Sequence, residues 1–296
     1  DCGRLSLHRH HHLLEFQFNR VREQRGGPHR AGRRQRDGQK LRILRRGAGH
    51  QELRQFHQHQ QQLLSRPQNR LQGLKSKFNC RSTDSPYGAD GGAIEIEGYA
   101  NQKNNIYIHH NTSRNSQGFI EVTETSSSDV TIAYNLSDDY QHFLAFDTTT
   151  VPNNYRVEHN TVVRTRSDQA ITVFATLYYR EVVASPSSSW LNVRNNIFYT
   201  PAAKVFRGTY SYSNFDYPHS NNLFYDGSSD PTGYGLGSGD VNANPLFVSS
   251  SDFHLTGASP AINAGAGLGY TFDLDGNGVP YGGAPDMGAY EYQSAP

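Results

Sequence analysis

The stretch from residue 91 to residue 98, GGAIEIEG, alternates two isoleucines with Glu95 and Glu97. That alternation is the period of a half-buried strand, with the isoleucines on one face and both carboxylates on the other. No Lys or Arg stands in the stretch to neutralise them. Carboxylates held close raise one another's pKa, so one can stay protonated as an acid while its neighbour stays ionised. Glu121 in GFIEVT and Asp147 in FLAFD sit in stretches of the same kind. Four such groups could perform general acid–base chemistry if the fold brings them together.

A repeat is the element that would position them. The segments NIYIHHN, DVTIAYN, NYRVEHN, WLNVRNN and YPHSNN close on Asn111, Asn135, Asn160, Asn196 and Asn222, with steps of 24, 25, 36 and 26 residues. Each is a short alternating strand ending in Asn, a residue that tolerates turn conformations. A second strand follows each of the first three: residues 119–123, 143–147 and 170–174. Units that cannot bury an apolar face alone must stack, so a period near 25 predicts a solenoid. An antiparallel sandwich would not require this order to recur. The step of 36 marks an insertion around residues 177–189.

Stacking predicts columns. With Ile94 and Ile96 aligned on Ile120 and Val122, on Leu144 and Phe146, and on Ile171 and Val173, one outward column reads Glu95, Glu121, Ala145, Thr172. The other reads Glu97, Thr123, Asp147, Phe174. Rungs ~4.8 Å apart place Glu95 beside Glu121, with Glu97 and Asp147 diagonal to Glu121 at roughly 8 Å between Cα atoms. Glycosidic bonds are hydrolysed by carboxyl pairs ~5–5.5 Å apart with retention, or ~6.5–9.5 Å apart with inversion. The column geometry spans both ranges. The plain alternative is a solvated acidic face, and another is a calcium site.

Composition divides the chain. Residues 1–80 hold 18 Lys and Arg against 5 Asp and Glu, a net of +13, whereas residues 81–296 hold 10 against 22, a net of −12. Arg, Gln and His fill 35 of the first 80 positions, and all 18 tyrosines come later. Clustered Arg invites a nucleic-acid reading, but aromatic residues for base stacking are nearly absent and no zinc spacing appears, so no nucleic-acid partner is expected. The run HRHHH at His8–His12 could bind metal or be a tag remnant. Asn, Gly, Asp and Ile codons read one base early yield Gln, Arg and His, the residues that dominate here. The segment resembles a frame-shifted part of the same repeat, with a basic disordered arm as the alternative. Cys2 and Cys80, the only cysteines, both fall in it, so no disulfide framework is expected. No apolar run reaches membrane-spanning length and no signal peptide is recognisable. A chain that begins at Asp1 rather than Met is expected to be a mature form or a fragment.

Residues 81–296 resemble the right-handed parallel β-helix proteins of the pectate-lyase-like superfamily. The units NNIYIHHNTS and YRVEHNTVVRT carry the resemblance, as does the tail NPLFVSSSDFHLTGASPAINAGAGLGYTFDLDGNGVPYGGAPDMGAYEY. It implies an all-β, right-handed parallel β-helix over residues 81–296, closed by a segment from about 240, with residues 1–80 irregular. It implies a secreted or cell-surface protein acting as a monomer on a polysaccharide or oligosaccharide. The superfamily holds lyases, hydrolases, epimerases, esterases and binding modules, so the activity rests on residues. We expect foremost a glycoside hydrolase, with Glu121 central, Glu97 or Asp147 its partner and Glu95 tuning their pKa. A non-catalytic carbohydrate-binding module is the second reading and a calcium-dependent lyase the third. Lys103 could serve as a lyase base, Arg114 less well, and Asp84 or Asp90 could supply a further acid.

Tyr99, Phe174, Tyr178 and Trp190 are candidate platforms for sugar rings, and His142 could orient Asp147 or bind a hydroxyl. Hydrolysis of this kind requires no cofactor, and calcium is the alternative. Asp273, Asp275 and Asn277 in DLDGNG form half a calcium loop, but its twelfth position is Ala284, so an Asx-rich turn is the competing reading.

Overall fold

A computed structural model describes residues 3–10, 13–19, 40–45, 69–72, 92–97, 103–123, 127–148, 151–166, 172–176, 186–207 and 215–294. The chain is all-β, and its solenoid is a right-handed parallel β-helix. No helix occurs among the described residues, and so none that could cross a membrane.

The coils stack into three sheets, the middle coils contributing a strand to each. Sheet A stacks β5 (Gly92–Glu97), β8 (Gly118–Thr123), β11 (Leu144–Asp147) and β14 (Phe174–Thr176). Sheet B stacks β4 (Asn69–Gln72), β6 (Lys103–His109), β9 (Ser127–Ala133), β12 (Asn153–Glu158), β15 (Leu191–Arg194) and β17 (His219–Ser220). Sheet C stacks β7 (Thr112–Arg114), β10 (Leu136–Asp138), β13 (Thr161–Val163), β16 (Ile197–Tyr199), β18 (Leu223–Tyr225) and β19 (Val241–Asn242). All these ladders are parallel. Three further strands, β1 (Gly3–His10), β2 (Leu13–Asn19) and β3 (Lys40–Arg45), prolong sheet A with antiparallel pairing.

Sheet C is the strand that the sequence reading lacks. Its members are mostly three residues long, too short for alternation to register. Both of its faces are also covered: Thr161, Val162 and Val163 are all buried.

The core is built in columns. Ile94, Ile120, Leu144 and Phe174 come from sheet A, Ile108, Ile132, Val157 and Val193 from sheet B, and Val162, Phe198 and Phe224 from sheet C. Phe198 and Phe224 stack at 5.2 Å with an interplanar angle of 11°. Each fully buried aliphatic or aromatic side chain is worth roughly 1.5–3 kcal/mol, so repetition along the axis supplies the cohesion that one coil lacks.

At the corner between sheets B and C the repeating Asn forms a ladder. The Oδ1 of Asn135 accepts from the backbone N–H and the Nδ2 of Asn111, and Asn160, Asn196 and Asn222 repeat the pattern upward. Asp240 replaces Asn on the last rung and accepts both bonds from Asn222. The residue before each Asn, namely His110, Tyr134, His159, Asn195 and Asn221, is left-handed with φ of 50–56°. That twist turns the chain from one sheet into the next.

After β19 the chain runs back along the solenoid over the outer face of sheet C and the Asn corner. Phe253, Leu274, Ala289 and Tyr290 pack on Leu136 and Val163, and Leu255, Ala261 and Met287 pack on Ile197 and Leu223.

Candidate active site

The sheet A register sets the carboxylate face. β5 pairs with β8 so that Glu95 lies beside Glu121 and Glu97 beside Thr123. β8 pairs with β11 so that Glu121 lies beside Ala145 and Thr123 beside Asp147. Both columns therefore run as expected over three rungs. Glu121 is 8% exposed, so its carboxylate is largely withdrawn from water rather than part of a wet face. Ala145 and Ala175 continue its column and are buried as well. On the β11 side the register neighbour of Glu121 is Ala145.

The fourth rung departs from the expected alignment. Leu144 pairs with Phe174, not Ile171, and Ala145 with Ala175, not Thr172. The Val173 carbonyl accepts from both Phe143 and Leu144, which absorbs the slip. Phe174 therefore points inward, with its ring 5.5 Å from Phe206 and 5.7 Å from Phe198. Burying a phenyl ring outweighs strict alternation here, and Phe174 is not a sugar platform. Neither is Trp190, which is fully buried with its indole packed edge-to-face on Phe146 at 5.4 Å.

His142 is also interior. Its ring lies over Gly118, where an added Cβ would come within 2.1 Å of Nε2. Burial, with the Arg164 charge adding to it, pushes its pKa down to about 3, so it is neutral and does not reach the outer face. Arg164, itself fully buried, holds the turn into β11 by donating to the carbonyls of Ser137, Gln141 and His142. Its charge is answered through Ser137, whose hydroxyl accepts from Arg164 and donates to the buried Asp139. Burial raises the Asp139 pKa, against which the Arg164 charge and the Ser and backbone donors act.

Of the other candidates, Tyr99, Tyr178, Asp84 and Asp90 lie outside the described residues, as do Cys2 and Cys80. Glu95, Glu97, Asp147 and Lys103 are placed by strand register only. Arg114 belongs to sheet C, where it pairs with Asp138 at 3.2 Å, donates to the Ser251 carbonyl and lies 5.0 Å over Phe253. It is committed to the returning tail and does not serve the carboxylates.

In DLDGNG the Asx-rich turn expected as the alternative to a calcium loop is formed. Asp273 Oδ1 accepts from the N–H groups of Asp275 and Asn277, and Oδ2 from Asn277 Nδ2 and the Glu291 N–H. Asp275 turns to His254 instead, 2.8 Å away. Asp273 is a buried turn acceptor, and among the described residues no group of three or more His, Cys, Asp or Glu could hold a metal ion.

The sequence reading also missed the outer face of sheet B, where Tyr107 and Arg156 occupy one column beneath Tyr270 of the tail. The repeat alignment contained the column. The approach of Tyr270 across more than a hundred residues had no local signal.

Family models, curated proteins and solved structures were all compared with the chain, and none matches it.

Proposed function

We propose that the protein is a carbohydrate-active β-helix of the pectate-lyase-like kind, a glycoside hydrolase in which Glu121 acts with a carboxylate of a neighbouring rung. The observation that carries this reading is the buried Glu121 one rung from Glu95 in a column otherwise continued by alanines. A desolvated carboxyl beside a second carboxyl is the arrangement that separates an acid from a base. Glu97 and Asp147, both paired with Thr123, stand diagonal to it on the neighbouring rungs, and the choice between retention and inversion is left to product analysis. A neutral glycan such as a xylan or glucan suits an acidic face better than a uronate does. The substrate places the enzyme outside the cell or on its surface, acting as a monomer without a cofactor.

Glu121→Gln tests this. The amide keeps the shape and removes the charge and the proton. Turnover on a polysaccharide panel should fall at least ~10²-fold, while fold and melting temperature are retained. Chelator should leave wild-type turnover unchanged, and products should be saturated sugars. Full activity in Glu121→Gln would end the assignment. Glycan retention without cleavage in either protein would establish a binding module, and unsaturated, calcium-dependent products a lyase.

A further inference from the structure

An open groove of about 580 Å³ runs over the outer face of sheet B, on a different sheet from the carboxylate column. Its floor is two columns. Tyr107, Thr131 and Arg156 stand in register on β6, β9 and β12. Beside them Asp129 and Asn154, on successive rungs, hold left-handed backbones with φ of 55° and 52°. Tyr270 from the returning tail forms a wall.

We propose that this groove is a saccharide-binding site for a neutral oligosaccharide laid across the rungs. Hydroxyl groups both donate and accept, and the groove offers both functions on neighbouring rungs. Arg156 and the Asn154 amide donate, and the Asp129 carboxylate accepts. One cation and one anion leave no net charge, which neither attracts nor repels a charged glycan and suits a neutral one. Successive rungs present such groups every ~4.8 Å, a repeating surface for a repeating ligand. Two tyrosines add ring surface for the C–H faces of pyranoses.

The groove is also built before any ligand arrives. Arg156 is tied to Thr131 Oγ1 at 2.9 Å through Nη2 and 3.2 Å through Nε, and makes no ion pair among the described residues. Asn154 Nδ2 donates to Asp129 Oδ1 at 2.7 Å. Tyr107 stacks on His109 at 4.0 Å and 19°. Tyr270 donates its hydroxyl to Glu158, which Arg194 holds from the other side, and its ring meets Tyr134 and His159 edge-on at 5.3 and 5.5 Å. Side chains already ordered lose little freedom on binding.

Calorimetry on the full chain with xylohexaose and a hexameric β-glucan tests the proposal. Wild type should bind at least one of them. Arg156→Ala and Asp129→Asn, the latter chosen because Asn accepts the left-handed backbone, should each weaken binding about 10-fold or more, the scale of one lost charge-assisted hydrogen bond. Circular dichroism and melting of both variants should match wild type, since Arg156 is exposed and an Asn at the half-buried position 129 can still accept from Asn154. Glu121→Gln should bind as wild type does, so loss of hydrolysis and loss of groove binding are read apart. Absence of neutral-sugar binding would overturn the proposal. Equal affinity in wild type and both variants would do so too, as would binding confined to polygalacturonate when that polymer is titrated alongside.

Discussion

Many polar side chains among the described residues are engaged with the backbone. Asn160 shows what that engagement is worth. Its Oδ1 takes the Asn135 N–H and side-chain amide, while its Nδ2 reaches the carbonyls of Ile132 and Glu158 and the Oδ1 of Asn196. Asn160→Ala would strand the Asn135 N–H in a fully buried corner. A buried donor without a partner costs about 1–3 kcal/mol, and lost bonds add to it, so we expect a destabilisation of roughly 3 kcal/mol by urea unfolding. A cost under about 0.5 kcal/mol, the range of ordinary surface changes, would show that the ladder merely accompanies the coil. The tail uses its acids in the same way. Asp286 accepts from the N–H groups of Asn263 and Tyr292, and Glu291 from those of Tyr281 and Asp286. Burial raises the pKa of both against the pull of those donors. Glu121 stands on a strand face in register with Glu95, and the chemical role we propose for it rests on that register.

At the scale of elements, the entry into sheet A depends on one absent methyl group. Gly118 lies under the His142 ring, and a Cβ there would sit 2.1 Å from Nε2. Gly118→Ala should therefore destabilise by overpacking, about 1–3 kcal/mol, and combining it with His142→Ala should recover part of the loss. Additive costs in the double variant would refute the contact. Much of this sheet was legible in advance. Glu95 beside Glu121 and Asp147 beside Thr123 follow from alternation and a period near 25, because register is fixed wherever one face is buried. Phe174 was not legible, because the apolar run containing it does not fix where its strand begins, and packing on Phe143, Phe198 and Phe206 starts the strand at Phe174 rather than three residues earlier. Trp190 looked like a surface aromatic because it follows an insertion, yet its ring closes the core under Phe146. The strands of sheet C were hidden by their length, and Tyr270 by its distance along the chain.

At the scale of the molecule, the solenoid has a defined end. Asp240 closes the Asn ladder, and its second oxygen meets His219 Nδ1, whose Nε2 lies 3.3 Å from Asp216. Burial works to lower the His219 pKa, but the Asp240 hydrogen bond and the charges of Asp240 and Asp216 outweigh it and raise the pKa. A His held above its unfolded value contributes stability that is complete below about pH 6.5 and is lost as pH rises through the folded value. The melting-temperature gap between wild type and His219→Gln should therefore be largest near pH 6 and shrink by about pH 9. A gap independent of pH would mean that the contact is not ionic. The returning tail binds the other coils from outside. Arg114 meets Ser251, Glu158 meets Tyr270 and Thr161 meets Ala289 across 137, 112 and 128 residues, whereas ladder neighbours are 18–36 apart. During synthesis the coils can zip together as each emerges, since their contacts are close in sequence. The clasp over the Asn corner cannot begin to close until residues 251–255 have been made, so a chain stopped near residue 245 would hold stacked coils without that outer fastening.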